Sequence, residues 1–246
     1  MLRMDWGVDG VRYALKNNEI VVIVDALRFS TAVTTAVANG FTIHPVSDRR
    51  NGEALAASLG AEMSGRPGQA RYTISPQSFL GAKPGDNRQV VVFSPNGAAC
   101  AKLVGDDDIV FIGCFLNARS VGRIVSITAR KKARNVTVVA AGEQRAIDTG
   151  ERIVYDKGAA YPVFAIEDYL ASGAIISGID IEKSAEASLC QLTYESARDQ
   201  VKELLFGSFS GRYLVENNLS DDILHAVRHD LYDVVPVIRQ GKITKF

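Results

Sequence analysis

Three cysteines, three histidines and a single tryptophan are all that 246 residues hold of those types, and each scarcity closes a class of chemistry. Cys100, Cys114 and Cys190 are odd in number and widely spaced, so no disulfide framework is expected and a reducing cytoplasm is the expected setting. None has an arginine six residues on, which removes the cysteine-phosphatase loop. The histidines are too few and too scattered for a histidine-rich dimetal centre; His225 and His229 would share one face of a helix, but no partnering motif accompanies them. Neither sign of charge is in excess. With 28 basic and 28 acidic residues, neither a nucleic acid nor an anionic membrane is expected as the main partner. No apolar run reaches bilayer length, and Met1 to Gly7 lacks the apolar core of a signal peptide. The motifs G-x-x-x-x-G-K-[ST] and G-x-G-x-x-G after a strand are also missing. Gly207-Ser208-Phe209-Ser210-Gly211, the nearest approach to G-x-S-x-G, has its serine one place late.

What is present is the composition of an ordinary globular protein, 47% hydrophobic and 23% charged. The length suits one α/β domain over residues 1–246, or two tightly joined lobes. The most organised stretch runs from Val21 to Thr31. Val21-Val22-Ile23-Val24 suits a strand buried on both faces, Asp25-Ala26-Leu27-Arg28 a polar turn, and Ser30 to Ala38 a short helix stopped at Asn39-Gly40. The pattern returns. Val90 to Phe93 runs into Ser94-Pro95-Asn96-Gly97, Ile109 to Gly113 into Cys114-Phe115-Leu116-Asn117, and Val136 to Ala140 into Ala141-Gly142-Glu143. The expected fold is therefore a three-layer α/β/α arrangement with a mostly parallel sheet of strand-turn-helix repeats. If the strands are parallel, Asp25, Asn96, Asn117 and Glu143 leave one rim of the sheet and converge.

Elsewhere the signals are plainer. Met1 to Glu19 reads as polar and mixed, and Phe41 to Val46 as a strand whose Pro45 suggests its end or an edge position. Gly65 to Asp86, including Lys83-Pro84-Gly85-Asp86, reads as loop and as part of a site wall. Val163 to Ala174, Ile181 to Phe206 and Ser220 to about Asp230 read as helices, and Val234 to Ile243 as an edge strand or hairpin. An apolar surface on the C-terminal helices would allow a homodimer.

The chemistry left is that of oxygen ligands. Asp25, Glu143, Glu167 and Asp168 are hard carboxylates suited to magnesium. Arg28 is suited to bidentate pairing with a phosphate or sulfonate. Ser30, Thr31, Ser94, Asn96, Gly97 and Asn117 supply hydroxyl, amide and backbone donors. A phosphomonoester fits this set. Each residue also has a structural reading: Asp25 and Arg28 as a pair closing their own turn, Asn96-Gly97 as a turn, Asn117 as a helix cap, and Glu167-Asp168 as a solvated first turn.

The ordered set Val24-Asp25-Ala26-Leu27-Arg28-Phe29-Ser30-Thr31, Ser94-Pro95-Asn96-Gly97, Gly113 to Ala118, Ala140 to Glu143 and Glu167-Asp168-Tyr169-Leu170 resembles the 2-phosphosulfolactate phosphatase family. Ser75-Pro76, Ser210-Gly211-Arg212, Asp221-Asp222-Ile223 and Val235-Pro236-Val237 agree with it. The chain departs at Ser94-Pro95, where the family often has threonines, and at Cys114, where it often has serine and which thereby joins the candidate substrate contacts. The resemblance implies a magnesium-dependent hydrolysis of 2-phospho-3-sulfolactate to 3-sulfolactate and phosphate, a step towards coenzyme M. The alternatives are a magnesium phosphohydrolase for another small phosphorylated acid, and an anion-binding α/β protein without catalysis. In all three a small anionic acid is the partner.

Overall fold

A computed structural model describes residues 1–82, 88–146 and 160–246; the Lys83-Pro84-Gly85-Asp86 part of the predicted loop lies outside them. Strands β1 (Leu2–Trp6), β2 (Ile20–Val24), β3 (Thr42–Val46), β4 (Glu62–Met63), β5 (Gln89–Phe93), β6 (Val110–Gly113), β7 (Val136–Ala140), β10 (Pro236–Arg239) and β11 (Lys242–Lys245) form one sheet in the order β1-β7-β2-β6-β10-β11-β3-β5-β4. Strands β8 (Glu143–Ala146) and β9 (Ala160–Val163) make a separate antiparallel pair. The helices are α1 (Gly7–Lys16), α2 (Phe29–Ala38), α3 (Arg49–Leu59), α4 (Gly97–Ala101), α5 (Ala118–Lys132), α6 (Ile166–Ser177), α7 (Ala185–Ala197), α8 (Val201–Gly207), α9 (Phe209–Glu216) and α10 (Ser220–Ala226). This is the expected α/β class with a mostly parallel sheet.

The sheet consists of two internally parallel blocks that run in opposite directions, so Ser94, Asn96 and Gly97 do not leave β5 on the rim expected from a parallel sheet. Strands β1, β7, β2 and β6 pair parallel, as do β3, β5 and β4. Between them the β10–β11 hairpin pairs antiparallel with β6 on one side and with β3 on the other. The predicted edge hairpin is thus at the centre of the sheet. Its apolar residues Val237, Ile238 and Ile243 are buried, as a central position requires.

All five residues of β2 and of β7, and all four of β6, are buried. Both faces of these strands are covered, which is why they read as unbroken apolar runs. On one face α5, α6 and α7 pack with Val22, Val24, Phe111, Val136 and Val138. On the other lies α2, whose residues from Phe29 to Val37 are all buried. Its core includes Val21 and Ile23 of β2, Ile43 of β3, Val90 and Val92 of β5, Ile112 of β6 and Ile238 and Ile243 of the hairpin. A helix with no charged residue belongs in an interior, and the hydroxyls of Thr31 and Thr35 are satisfied there by backbone carbonyls; the sheet around it is not flat. Five strand steps of about 4.8 Å would hold β2 and β5 roughly 24 Å apart in a flat sheet, yet Gly97 after β5 hydrogen-bonds Asp25 after β2 at 2.9 Å.

Four local expectations need correcting. The polar N-terminus forms β1 and α1; β1 lies at the end of the sheet beside β7, with a single bridge from Leu2 to Lys183 on its other side, and its Arg3 and Asp5 are only partly buried. Pro45 lies in an interior strand. The Thr42 N–H points towards β5, so by alternation Pro45 would direct its missing N–H towards β11, which pairs with β3 only at Ile43. The stretch from Ile181 to Phe206 is broken into α7 and α8 by a 3₁₀ turn over Arg198–Gln200. Helix α10 ends at Ala226, so His229 lies beyond it and shares no helical face with His225. No helix among the described residues is long and apolar enough to cross a membrane.

Candidate active site

Asp25 follows the last residue of β2, and two helix N-termini close on its carboxylate. Phe29 N, at the start of α2, donates to Oδ1 at 3.1 Å, and Gly97 N, at the start of α4, donates to Oδ2 at 2.9 Å. Ser94 Oγ reaches Oδ2 at 3.4 Å. The free N–H groups expected at the α2 terminus are therefore taken by the protein's own acid: Ser30 N also bonds the Asp25 carbonyl at 2.7 Å. Gly97 allows this approach. A Cβ there would stand 2.4 Å from Phe29 Cδ1 and 2.6 Å from Asp25 Oδ2.

Three more carboxylates arrive from two other segments. Asp168, in the first turn of α6, receives Ala26 N on Oδ1 at 2.7 Å and Gly142 N on Oδ2 at 3.0 Å, tying the turn after β2 to the turn after β7. Helix α6 can bring it there because Gly173 sits against α7; a Cβ at that residue would lie 2.5 Å from the Cys190 carbonyl oxygen. Glu167 is buried near Ser208 and Ser210 at the start of α9, and their hydroxyls temper the rise of its carboxyl. Glu143, at the start of β8, accepts from Asn96 Nδ2 at 2.8 Å. Asp25, Glu143, Glu167 and Asp168 thus form one electrostatic cluster with Ser94, Asn96 and Gly97 around it.

Crowding like charges away from water favours the protonated forms. Burial first, and then the charges of Glu143 and Glu167, raise Asp25 from 3.8 to about 6 against the pull of the Phe29 and Gly97 amides. Burial, then Asp25 and Glu167, hold Asp168 well above the usual carboxylate range. Burial raises Glu167 as well, opposed mainly by the Ser210 hydroxyl.

Arg28 does not pair with Asp25. Its Nη1 donates to Asp222 Oδ2 at 2.9 Å, and Asp222 Oδ1 accepts from Ser75 Oγ at 2.5 Å. Asp222 and Ser75 were not among the sequence candidates; an acid in the first turn of a helix looks like ordinary dipole compensation. A signal existed, because Ser75-Pro76 and Asp221-Asp222-Ile223 are among the stretches that agree with the family resemblance.

The other candidates serve the scaffold. Ser30 Oγ accepts from Asp25 N at 2.9 Å and Thr31 Oγ1 donates to the Ala26 carbonyl at 2.7 Å, so both hydroxyls shape the turn. Asn117 is fully buried; its Oδ1 accepts from Cys114 N at 3.0 Å and its Nδ2 donates to the Val234 carbonyl at 3.1 Å. Cys114 is fully buried too. Neither residue reaches the acid cluster through the bonds it makes. Burial pushes the Cys100 and Cys190 thiols up to about 12 and Cys114 up to about 11, so none supplies a thiolate nucleophile at neutral pH.

The arrangement offers hard oxygen ligands beside a guanidinium. Among the described residues, no three of the His, Cys, Asp and Glu side chains converge closely enough to hold a metal by themselves. Magnesium does not ask for that, since it commonly takes one or two carboxylates, keeps several waters and shares the phosphate oxygens of its substrate. The donor chemistry fits such a partly solvated ion. A cation there would also offset the mutual repulsion of the acids.

A model of the 2-phosphosulpholactate phosphatase family matches residues 9–241. The chain is 28% identical over 231 residues to a protein named 2-phosphosulfolactate phosphatase from Methanothermobacter thermautotrophicus, covering 91% of this chain and 88% of that one. It is 27% identical over 242 residues to a probable 2-phosphosulfolactate phosphatase from Carboxydothermus hydrogenoformans, with 93% and 92% covered. A probable 2-phosphosulfolactate phosphatase from Pseudothermotoga lettingae is 25% identical over 237 residues, with 94% of each chain covered.

Proposed function

The chain belongs to the 2-phosphosulpholactate phosphatase family, and from that premise we propose that it is a phosphoric monoester hydrolase that converts 2-phospho-3-sulfolactate and water to 3-sulfolactate and phosphate, with magnesium at the Asp25 cluster. The observation that carries the reading is the gathering of Asp25, Glu143, Glu167 and Asp168 from three separate segments, with Ser94, Asn96 and Gly97 around them.

Hydrolysis breaks the P–O bond to the lactate carbon skeleton and transfers the phosphoryl group to a water oxygen. Phosphate monoesters are so inert that enzymes accelerate their hydrolysis by up to ~10²¹-fold, on the order of 28 kcal/mol of transition-state stabilisation. One helix terminus supplies only ~0.3–1 kcal/mol at an exposed site. A bound divalent cation supplies the larger effect, by neutralising phosphoryl oxygens and lowering the pKa of coordinated water. Asp25 is the principal carboxylate that holds it, with Glu143 and Glu167 as the flanking acids. Asp168, which like Asp25 accepts a backbone N–H on each oxygen, also fixes the two turns in register and joins the candidate metal carboxylates. Burial and the neighbouring acids raise the Asp25 carboxyl; a bound cation would favour its charged form, the form that serves as ligand. Arg28 holds an anionic group of the substrate, and Asn96 and Ser94 orient oxygens at the rim.

Phosphate release from 2-phospho-3-sulfolactate by the purified chain, with magnesium and with a chelator, tests this. Turnover is expected with the metal and none after its removal. Release undiminished in chelator removes the metal from the proposal. Faster release from phosphoglycolate or phospholactate moves the assignment to another small phosphorylated acid.

A further inference from the structure

We infer that Asp222 and Ser75 are a positioning pair that fixes the guanidinium of Arg28, so that Arg28 recognises its anion by the direction of its N–H groups rather than by free charge. The inference rests on the phosphohydrolase reading above. Three segments remote in sequence meet at this point: the turn after β2, the loop before the 3₁₀ turn Pro76–Phe79, and the first turn of α10. Each oxygen of the Asp222 carboxylate has one donor, Arg28 Nη1 at 2.9 Å and Ser75 Oγ at 2.5 Å. The Asp222 side chain is fully buried, while that of Arg28 keeps 17% of its surface open.

The pair is braced at both ends. Gln77 Nε2 donates to the Asp221 carbonyl at 2.8 Å, holding the loop to α10, and Ser78 Oγ donates to the Ser75 carbonyl at 2.8 Å. One turn along α10, His225 Nε2 lies 3.0 Å from Thr35 Oγ1 on α2, the helix that Arg28 leads into. The carboxylate and the guanidinium are therefore mounted on elements bonded to each other. A guanidinium carries five N–H donors in one plane; with Nη1 committed to Asp222, the orientation of the plane is set and the remaining donors keep a fixed aim. The pair is formally neutral, so little long-range attraction is left. What it offers an incoming anion is geometry, and misplacing a reacting group by about 1 Å can cost roughly 10²-fold in rate.

The test is steady-state phosphate release from 2-phospho-3-sulfolactate with magnesium, for the wild type, Asp222→Asn, Ser75→Ala, Arg28→Ala and the double variants with Arg28→Ala. Asp222→Asn is expected to lower kcat/KM by about 10²-fold, and Ser75→Ala by less. Each double variant is expected to be no worse than Arg28→Ala alone, because the anchor then has nothing to hold. Guanidinium ion added to Arg28→Ala is expected to restore part of the activity, and to restore less when Asp222→Asn is also present. Should Asp222→Asn not fold, Ser75→Ala gives the same comparison. Losses that multiply with that of Arg28→Ala, or wild-type kcat/KM in both single variants, overturn the inference. A wild type that releases no phosphate overturns the phosphohydrolase reading and this inference together.

Discussion

Asp25→Asn is expected to remove activity and to change how stability depends on pH. The carboxyl of Asp25 is raised from 3.8 to about 6 in the folded protein, with burial as the main cause. A raised carboxyl binds its proton more tightly when folded than when unfolded, so the folded state loses stability as pH rises from about 4 to about 6. At ~1.4 kcal/mol per pH unit, that loss is about 3 kcal/mol, complete above pH ~6 and absent below ~4. Asparagine keeps one acceptor but turns an N–H₂ group on either Phe29 N or Gly97 N, costing about 1–3 kcal/mol at every pH. The offset between the proteins is therefore small at neutral pH, but its pH dependence is diagnostic. Urea unfolding of both in chelator, from pH 4.5 to 7.5, should show the variant gaining on the wild type as pH rises. By heat the full effect corresponds to roughly 6–12 °C in Tm for a chain of this size. Relief of the charge that Asp25 exerts on Asp168 acts in the same direction. A stability difference that stays flat across this range, or that falls as pH rises, would refute the reasoning.

Two further outcomes follow from the same geometry. If ionised Asp25 holds the cation, kcat/KM for phosphate release should fall towards acid pH and the fall should move to lower pH as magnesium is raised; an acid limb that does not respond to magnesium would show that Asp25 is not the ligand. Gly97→Ala would press a Cβ against Phe29 and Asp25, with an expected cost of about 1–3 kcal/mol and a loss of phosphate release. Gly105→Ala is the control, since its Cβ would meet nothing nearer than Asp108 Oδ2 at 3.4 Å; equal thermal midpoints for the two variants would contradict the close approach.

Much of this was legible in the chain because strands buried on both faces leave an unbroken apolar signature. β2, β5, β6 and β7 could each be read that way, and Asp25, Ser94, Asn96, Gly97 and Glu143 fall just past the ends of three of them. That convergence was inferred from parallel strands sharing one rim, which holds for β2, β6 and β7 but not for β5: three antiparallel steps through the hairpin make β5 run opposite to β2. The molecule achieves it through the segment after β5, which carries Gly97 N to the Asp25 carboxylate, and no local pattern announces that. Asn117 and Cys114 follow β6 in the same manner, but their polar atoms are spent on Val234, Thr34 and each other. A side chain that caps a buried turn and one that faces a ligand have the same sequence signature. β1 was missed although Leu2-Arg3-Met4-Asp5-Trp6 alternates strictly, because the run is short and is followed at once by the polar, glycine-containing stretch from Gly7 to Gly10. The hairpin of β10 and β11 was misplaced because Pro236 and Gly241 are marks of a sheet border.

The hairpin's position imposes an order on assembly. Among the described residues, 236–245 supply the two strands that join the two blocks of the sheet, and they are synthesised after everything they connect. Until they dock, α2 emerges lacking half its enclosure, and no partial product of translation can finish the interior. Native pairing must wait for contacts of large sequence separation, which are slow to close. Loss of Lys242–Lys245 would leave β10 and β3 with facing unpaired edges and split the framework that brings Asp25 and Gly97 together.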